Sequence, residues 1–143
     1  MQNQSDDLVL NLEKADEVVT GEVRVAVSKA TPGVSNNDNF KIDLHLKVLE
    51  AEEPSYVGRM IFDTITFTPK TAFQVKRAIK GFGLGLPTEF RVNETNVAAL
   101  AAQLAEADPI WLFCIEEKGK GEYEGQDKSR VRRYGIKKPS WAD

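Results

Sequence analysis

Between residues 40 and 50 apolar and polar side chains alternate without a break. Phe40, Ile42, Leu44, Leu46 and Val48 share one face, and Lys41, Asp43, His45 and Lys47 share the other. Period two is the signature of a strand with one buried face. Eleven residues is long for a strand and suits one that bends around a barrel. The segment Glu22 to Ala30 repeats the pattern with Val23, Val25 and Val27, and the stretch Thr31 to Asn39, with Pro32, Gly33 and three asparagines, reads as a flexible loop. A third run, Gly58 to Thr68, is rich in aromatic and β-branched residues and stops at Pro69.

The period then changes. Thr71 is placed to cap a helix in which Ala72, Val75, Ile79 and Phe82 recur at near 3.6 spacing, with Gly81 or Gly83 as its stop. Asn93 or Thr95 caps a second helix with Val97, Leu100, Ala101 and Leu104 on one stripe, ended by Asp108-Pro109. Strands resume over Ile110 to Glu117 and Lys128 to Lys138. The order β-β-β-α-α-β-β predicts a mainly β fold with a helical insert, a five-stranded OB-like antiparallel barrel over residues 21–138. A generic α+β sandwich is the alternative. Residues 1–20 read as an acidic arm and residues 139–143 as a short tail.

Composition adds exclusions. The 143 residues carry a net charge of −3, which argues against an obligate polyanion binder. The mean conceals an asymmetry: residues 1–70 hold 12 acids and 7 bases, residues 71–143 hold 10 acids and 12 bases. A single cysteine, Cys114, excludes an intramolecular disulfide and a cysteine-based zinc site, and reads as a buried thiol in a reducing compartment. His45 is the only histidine, and neither a nucleophile elbow nor a phosphate loop is present. Gly81-Phe82-Gly83-Leu84-Gly85 reads as a helix stop and turn, so no cofactor is expected. No apolar run is long enough for a bilayer and no basic leader precedes one, which predicts a cytoplasmic protein without a membrane partner.

Lys47-Val48-Leu49-Glu50, followed after a turn by Gly58-Arg59-Met60-Ile61-Phe62-Asp63, resembles a stretch of small phage-encoded replication-module proteins. Tyr123-Glu124-Gly125 and the strand from Arg130 to Tyr134 look like that family's closing hairpin. The resemblance spans roughly residues 20–136. The family is uncharacterised and similar to OB-fold single-stranded-DNA-binding proteins. It implies coating or annealing of single-stranded DNA in phage replication or recombination, in the bacterial host cytoplasm, alongside phage or host replication proteins, and it leaves homo-oligomerisation open. The tail Pro139-Ser140-Trp141-Ala142-Asp143 departs from the acidic run with which such binders usually end.

Binding single strands without sequence preference needs cations along the phosphate path and aromatic faces for the bases. Lys128 to Lys138 holds six bases and no acid, and period two puts Arg130, Arg132 and Tyr134 in an outward row, with Val131 and Arg133 on the other face. Replacing Arg130, Arg132 and Tyr134 together is expected to weaken binding without changing the fold. The preceding loop adds Lys118, Lys120 and Tyr123, nearly cancelled by Glu116, Glu117, Glu122, Glu124 and Asp127. The outward face of the second strand adds Lys41, His45 and Lys47, and the third begins with Arg59. Trp141 either stacks a base, docks a partner or pins the C-terminus. Phe73, Phe82, Phe90 and Trp111 are assigned to the core, and Lys76, Arg77 and Lys80 to a solvated helix face.

The expected function is non-enzymatic, sequence-nonspecific single-stranded-DNA binding, and the acidic arm is expected to compete for the basic groove. The rival is a phage protein-interaction module, an adaptor or host-factor inhibitor on the same fold. A hydrolase pairing Asp63 with Glu50 is a weaker third reading.

Overall fold

The computed structural model describes residues 18–142. Its strands are β1 (Gly21–Val34), β2 (Phe40–Ala51), β3 (Met60–Thr66), β4 (Ile110–Glu117) and β5 (Lys128–Tyr134), with helices α1 (Ala72–Gly81) and α2 (Glu94–Ala105) between β3 and β4. The strands form one antiparallel sheet in the order β3-β2-β1-β4-β5. The sheet is open. Four successive antiparallel pairings leave its edge strands, β3 and β5, running in the same direction, yet no backbone ladder joins them.

β2 behaves as its alternation requires: Ile42, Leu44, Leu46 and Val48 are fully buried, and the residues between them face outward. β1 runs further than the sequence suggests, through Thr31-Pro32-Gly33, because Val34 pairs with Phe40 and the connection shrinks to residues 35–39. Pro32 is tolerated there since β4 pairs only with Gly21 to Val25, leaving this part of β1 with a single neighbour. Register shifts between Arg24 and Val25 and between Val27 and Lys29 mark bulges that increase the local twist of the hairpin.

The core lies between the inner face of the sheet and the helices. Val97, Leu100 and Leu104 of α2 pack across β1 and β2, while Val75, Ala78 and Ile79 of α1 face β3 and β5. Each fully buried aliphatic side chain contributes about 1.5–3 kcal/mol relative to exposure. Of the two candidate caps, Asn93 and Thr95, it is Asn93 that caps α2, accepting from the Asn96 amide at 2.8 Å. The cap expected at Thr71 falls one turn earlier. Thr68 and Thr71 cap each other around the 3₁₀ turn Pro69–Thr71, and Thr71 makes no side-chain cap to α1 itself.

Several core and boundary assignments change. Phe82 is buried and Phe90 stacks on Phe67, but Phe73 is 69% exposed beneath Arg77, since it lies on the face of α1 opposite Val75 and Ile79. Trp111 is half-buried on the outer face of the sheet, opposite Arg24. Val19 is 1% exposed, so the core begins inside the segment assigned to the arm. At the other end Trp141 packs edge-on against Trp111 at 5.5 Å, which places the tail on the body. The remainder of the arm, residues 1–17, lies outside the described residues.

Candidate functional site

The outer face of β1, β2 and β3 is a continuous polar surface with one large ring standing on it. Cross-strand register sets Lys29 of β1 beside His45 of β2, and His45 beside Phe62 of β3. Phe62 is 61% exposed, and His45 meets it edge to face with centroids 4.8 Å apart. One row along, Lys47 sits between Ala26 and Met60, whose side chain is also exposed. Lys29 and Lys47 have no carboxylate within ion-pair distance among the described residues. An exposed aromatic flanked by uncommitted ammonium groups supplies what a base and its phosphates require.

The far end of this face is more neutral. Lys41 pairs with Asp43 at 3.0 Å, and Asp43 accepts from the Thr64 hydroxyl at 2.8 Å. Partial burial pushes the Asp43 carboxyl up, but the Thr64 hydroxyl and Lys41 outweigh it and hold the group below its usual range. Arg59, at the entry to β3, lies 5.8 Å from the centroid of the Tyr56 ring.

The closing strand differs most from its reading in the sequence. The β4–β5 ladder passes from Cys114↔Val131 to Phe113↔Arg133, so Arg132 is an extra residue and period two breaks there. Tyr134 therefore turns inward, opposite buried Leu112, packs on Phe82 at 5.3 Å and donates its hydroxyl to Asp63. It is a structural residue, not part of an outward stacking row. Removing it together with Arg130 and Arg132 would disturb the fold.

The cations nearby are partly committed. Glu117 holds Arg130 at 2.9 Å and Lys128 at 3.4 Å. Lys118 bridges Glu116 at 2.9 Å and Asp127 at 3.2 Å. Exposed pairs of this kind contribute at most about 1 kcal/mol, yet they cancel the local field. Arg133 lies over Phe113 at 5.5 Å, while Arg132 has no anionic partner among the described residues. Tyr123 and Lys120 stand exposed on the β4–β5 loop.

Among the described residues Asp63 is the one carboxylate whose pKa is raised. It projects to the inner side of β3, between Ile61 and Ile65, where burial pushes it up to about 6 against a weaker pull from the Thr64 amide, Arg130 and Lys128. Burial, with Asp63 nearby, raises the Cys114 thiol to about 12, which leaves it protonated and inert at neutral pH. Glu50 faces Arg24 at 3.1 Å on the outer side of the sheet, so Asp63 and Glu50 form no catalytic pair. Among the described residues no group of three or more His, Cys, Asp or Glu side chains could hold a metal ion, and no helix is long and apolar enough to cross a membrane.

Phe62, Lys29 and Met60 were given no binding role from the sequence, although Met60 and Phe62 lie in the stretch that carries the resemblance. The available signal was the parity of β3: once Ile61 and Ile65 face inward, Met60, Phe62 and Thr64 must face outward. No family model matches the chain, and no curated protein matches it. The functional reading therefore rests on this geometry.

Proposed function

We propose that the protein binds single-stranded DNA without sequence preference across the outer face of β1, β2 and β3. The observation that carries the proposal is the in-register row Lys29–His45–Phe62, an exposed ring set between cations on the polar face of a sheet. Phe62 is the stacking platform. His45 fixes its orientation from the side, and Lys29, Lys41, Lys47 and Arg59 neutralise phosphates. The strand order, with two helices between β3 and β4, supports an OB-like barrel left unzipped at β3 and β5. In such barrels the face of strands two and three and the loops after strands one and four hold oligonucleotides. On that pattern Lys118, Lys120 and Tyr123 flank the path from the β4–β5 loop, with Arg130, Arg132 and Arg133 as an auxiliary basic edge. The role implied is protection of single strands during replication or recombination, and no step of bond chemistry belongs to it.

The test is fluorescence anisotropy of a labelled oligothymidine against the whole chain. Binding at about 50 mM salt that weakens at about 200 mM is expected, and no binding at the lower salt overturns the proposal. A protein-interaction module is the second reading. It is favoured by an apolar groove of about 870 Å³ beside α1, lined by Phe67, Ile79, Leu84, Leu86 and Phe90. Failure of the oligothymidine to bind transfers the assignment to it.

A further inference from the structure

Between the unzipped edges of β3 and β5, and bounded by α1, lies a cleft of about 560 Å³. This is within the usual range for small-molecule sites. Its charged lining is one-sided: Arg130, Arg132 and Arg133 from β5 and Arg77 and Lys80 from α1, against the single carboxylate of Asp63. Five cationic residues border the cleft in a chain whose net charge is −3. Arg130 is tied to Glu117, and Arg77 and Arg133 lie over the rings of Phe73 and Phe113, but Lys80 and Arg132 have no anionic partner among the described residues. Val75, Ala78 and Val131 form an apolar part of the same wall.

The cleft is held at one end by two contacts. Tyr134 donates its hydroxyl to Asp63, and Gly135 approaches Gly81 so closely that a side chain at either position would collide with the other's backbone or with Tyr134. The edges stay apart along the rest of β5, and cationic residues of α1 and β5 border the gap from its two sides. A lysine ammonium and an arginine fork on opposite walls suit a tetrahedral dianion, which accepts donors from several directions.

We propose that this cleft binds a nucleoside monophosphate, its phosphate held between Lys80 and Arg132 and its ring against Val75, Ala78 and Val131. The site shares Arg130, Arg132 and Arg133 with the auxiliary basic edge but lies apart from the row Lys29–His45–Phe62 and does not depend on strand binding there. Asp63 makes binding proton-linked. Besides the hydroxyl of Tyr134 and the cleft cations, Arg130 among them, Asp63 faces Lys128 of β5, Glu117 and the neutral Cys114 thiol of β4, and the Thr64 amide, and its carboxyl titrates near 6. A phosphate brought beside it favours the protonated acid, so by linkage the contribution of Asp63 strengthens binding as pH falls through that value, opposed by the ligand's own loss of its second charge near the same pH.

The experiment is an amide chemical-shift titration of the whole chain with thymidine 5′-monophosphate, inorganic phosphate and thymidine as separate ligands. The monophosphate is expected to shift amides around Lys80, Gly81, Arg132 and Arg133. Inorganic phosphate should shift the same amides more weakly, and thymidine should leave them in place. Lys80→Ala combined with Arg132→Ala should weaken monophosphate binding at least tenfold. Asp63→Asn should raise affinity at pH 7.5 and retain only the pH dependence of the ligand's own phosphate. Phe62→Ala should leave this site unchanged, which separates its failure from that of the sheet face. Absence of shifts at these amides in the unaltered protein overturns the site, as does unchanged affinity in the double variant. Equal affinity for inorganic phosphate overturns the nucleoside part.

Discussion

Phe62 and Tyr134 show how a single residue's surroundings decide its role. Both are aromatic and both lie on edge strands, but Phe62 stands on the polar face beside His45, whereas Tyr134 is turned inward onto Phe82. Phe62→Ala should reduce oligothymidine affinity about tenfold, the lower half of the 1–3 kcal/mol range for one stacked base. Its melting temperature should stay close to that of the parent, because an exposed ring contributes little to the core. Asp63 gives a prediction of a different kind. Its folded pKa of about 6 lies above the ordinary value of 3.8, so the folded state binds the proton more tightly than the unfolded state does. Stability is greatest below the unfolded value and declines as pH rises through the window from 3.8 to about 6. Asp63→Asn should therefore match the parent in urea melts near pH 4. Near pH 7.5 it should exceed the parent by up to about 3 kcal/mol, the equivalent of two pKa units. A variant no more stable at pH 7.5 would contradict the assigned burial.

At the scale of elements, alternation and capping were legible wherever local pattern and packing agree. The faces of β2, the helical stripe of α2 and the Asn93 cap follow directly from spacing. What was not legible depends on non-local contacts. The extra residue at Arg132 is produced by the pairing of β5 with β4, and no period in Lys128–Tyr134 announces it. β1 runs through Pro32 because a partner strand lies on one side only. Phe62 was obscured because apolar residues occupy both faces of β3, which hides its parity until the inward set is known. The contact between α1 and the end of β5 supplies the test at this scale. Alanine normally stabilises a helix relative to glycine by about 1 kcal/mol. At Gly81, however, its Cβ would fall 2.4 Å from the Cβ of Tyr134. Gly81→Ala should therefore lower the melting temperature, despite its better helix propensity.

For the whole molecule, the net charge of −3 conceals a division of labour between an acidic first half and a later basic surplus. Fold class was readable from element order, whereas closure was not: it depends on a few contacts between β3 and β5, and the sheet remains open. The acids at positions 6, 7, 16 and 17 lie outside the described residues, and a competing role for them rests on charge, which is least screened at low salt. Converting Asp6, Asp7 and Asp16 to Asn and Glu17 to Gln should strengthen oligothymidine binding at about 50 mM salt and have little effect at about 200 mM. A neutral or weakening effect at low salt would contradict a competing arm. Leaving Val19 in place matters in this test, because it belongs to the core.

The central claim is that the face of β1, β2 and β3 carries the strand, and its most direct test is oligothymidine anisotropy on the parent and Phe62→Ala at both salt concentrations. Four phosphate contacts, from Lys29, Lys41, Lys47 and Arg59, predict about a 50-fold loss of affinity between about 50 and about 200 mM salt in both proteins. A constant gap of about tenfold should separate them, since stacking is insensitive to salt. Equal affinities for parent and variant, or binding indifferent to salt, would contradict the account.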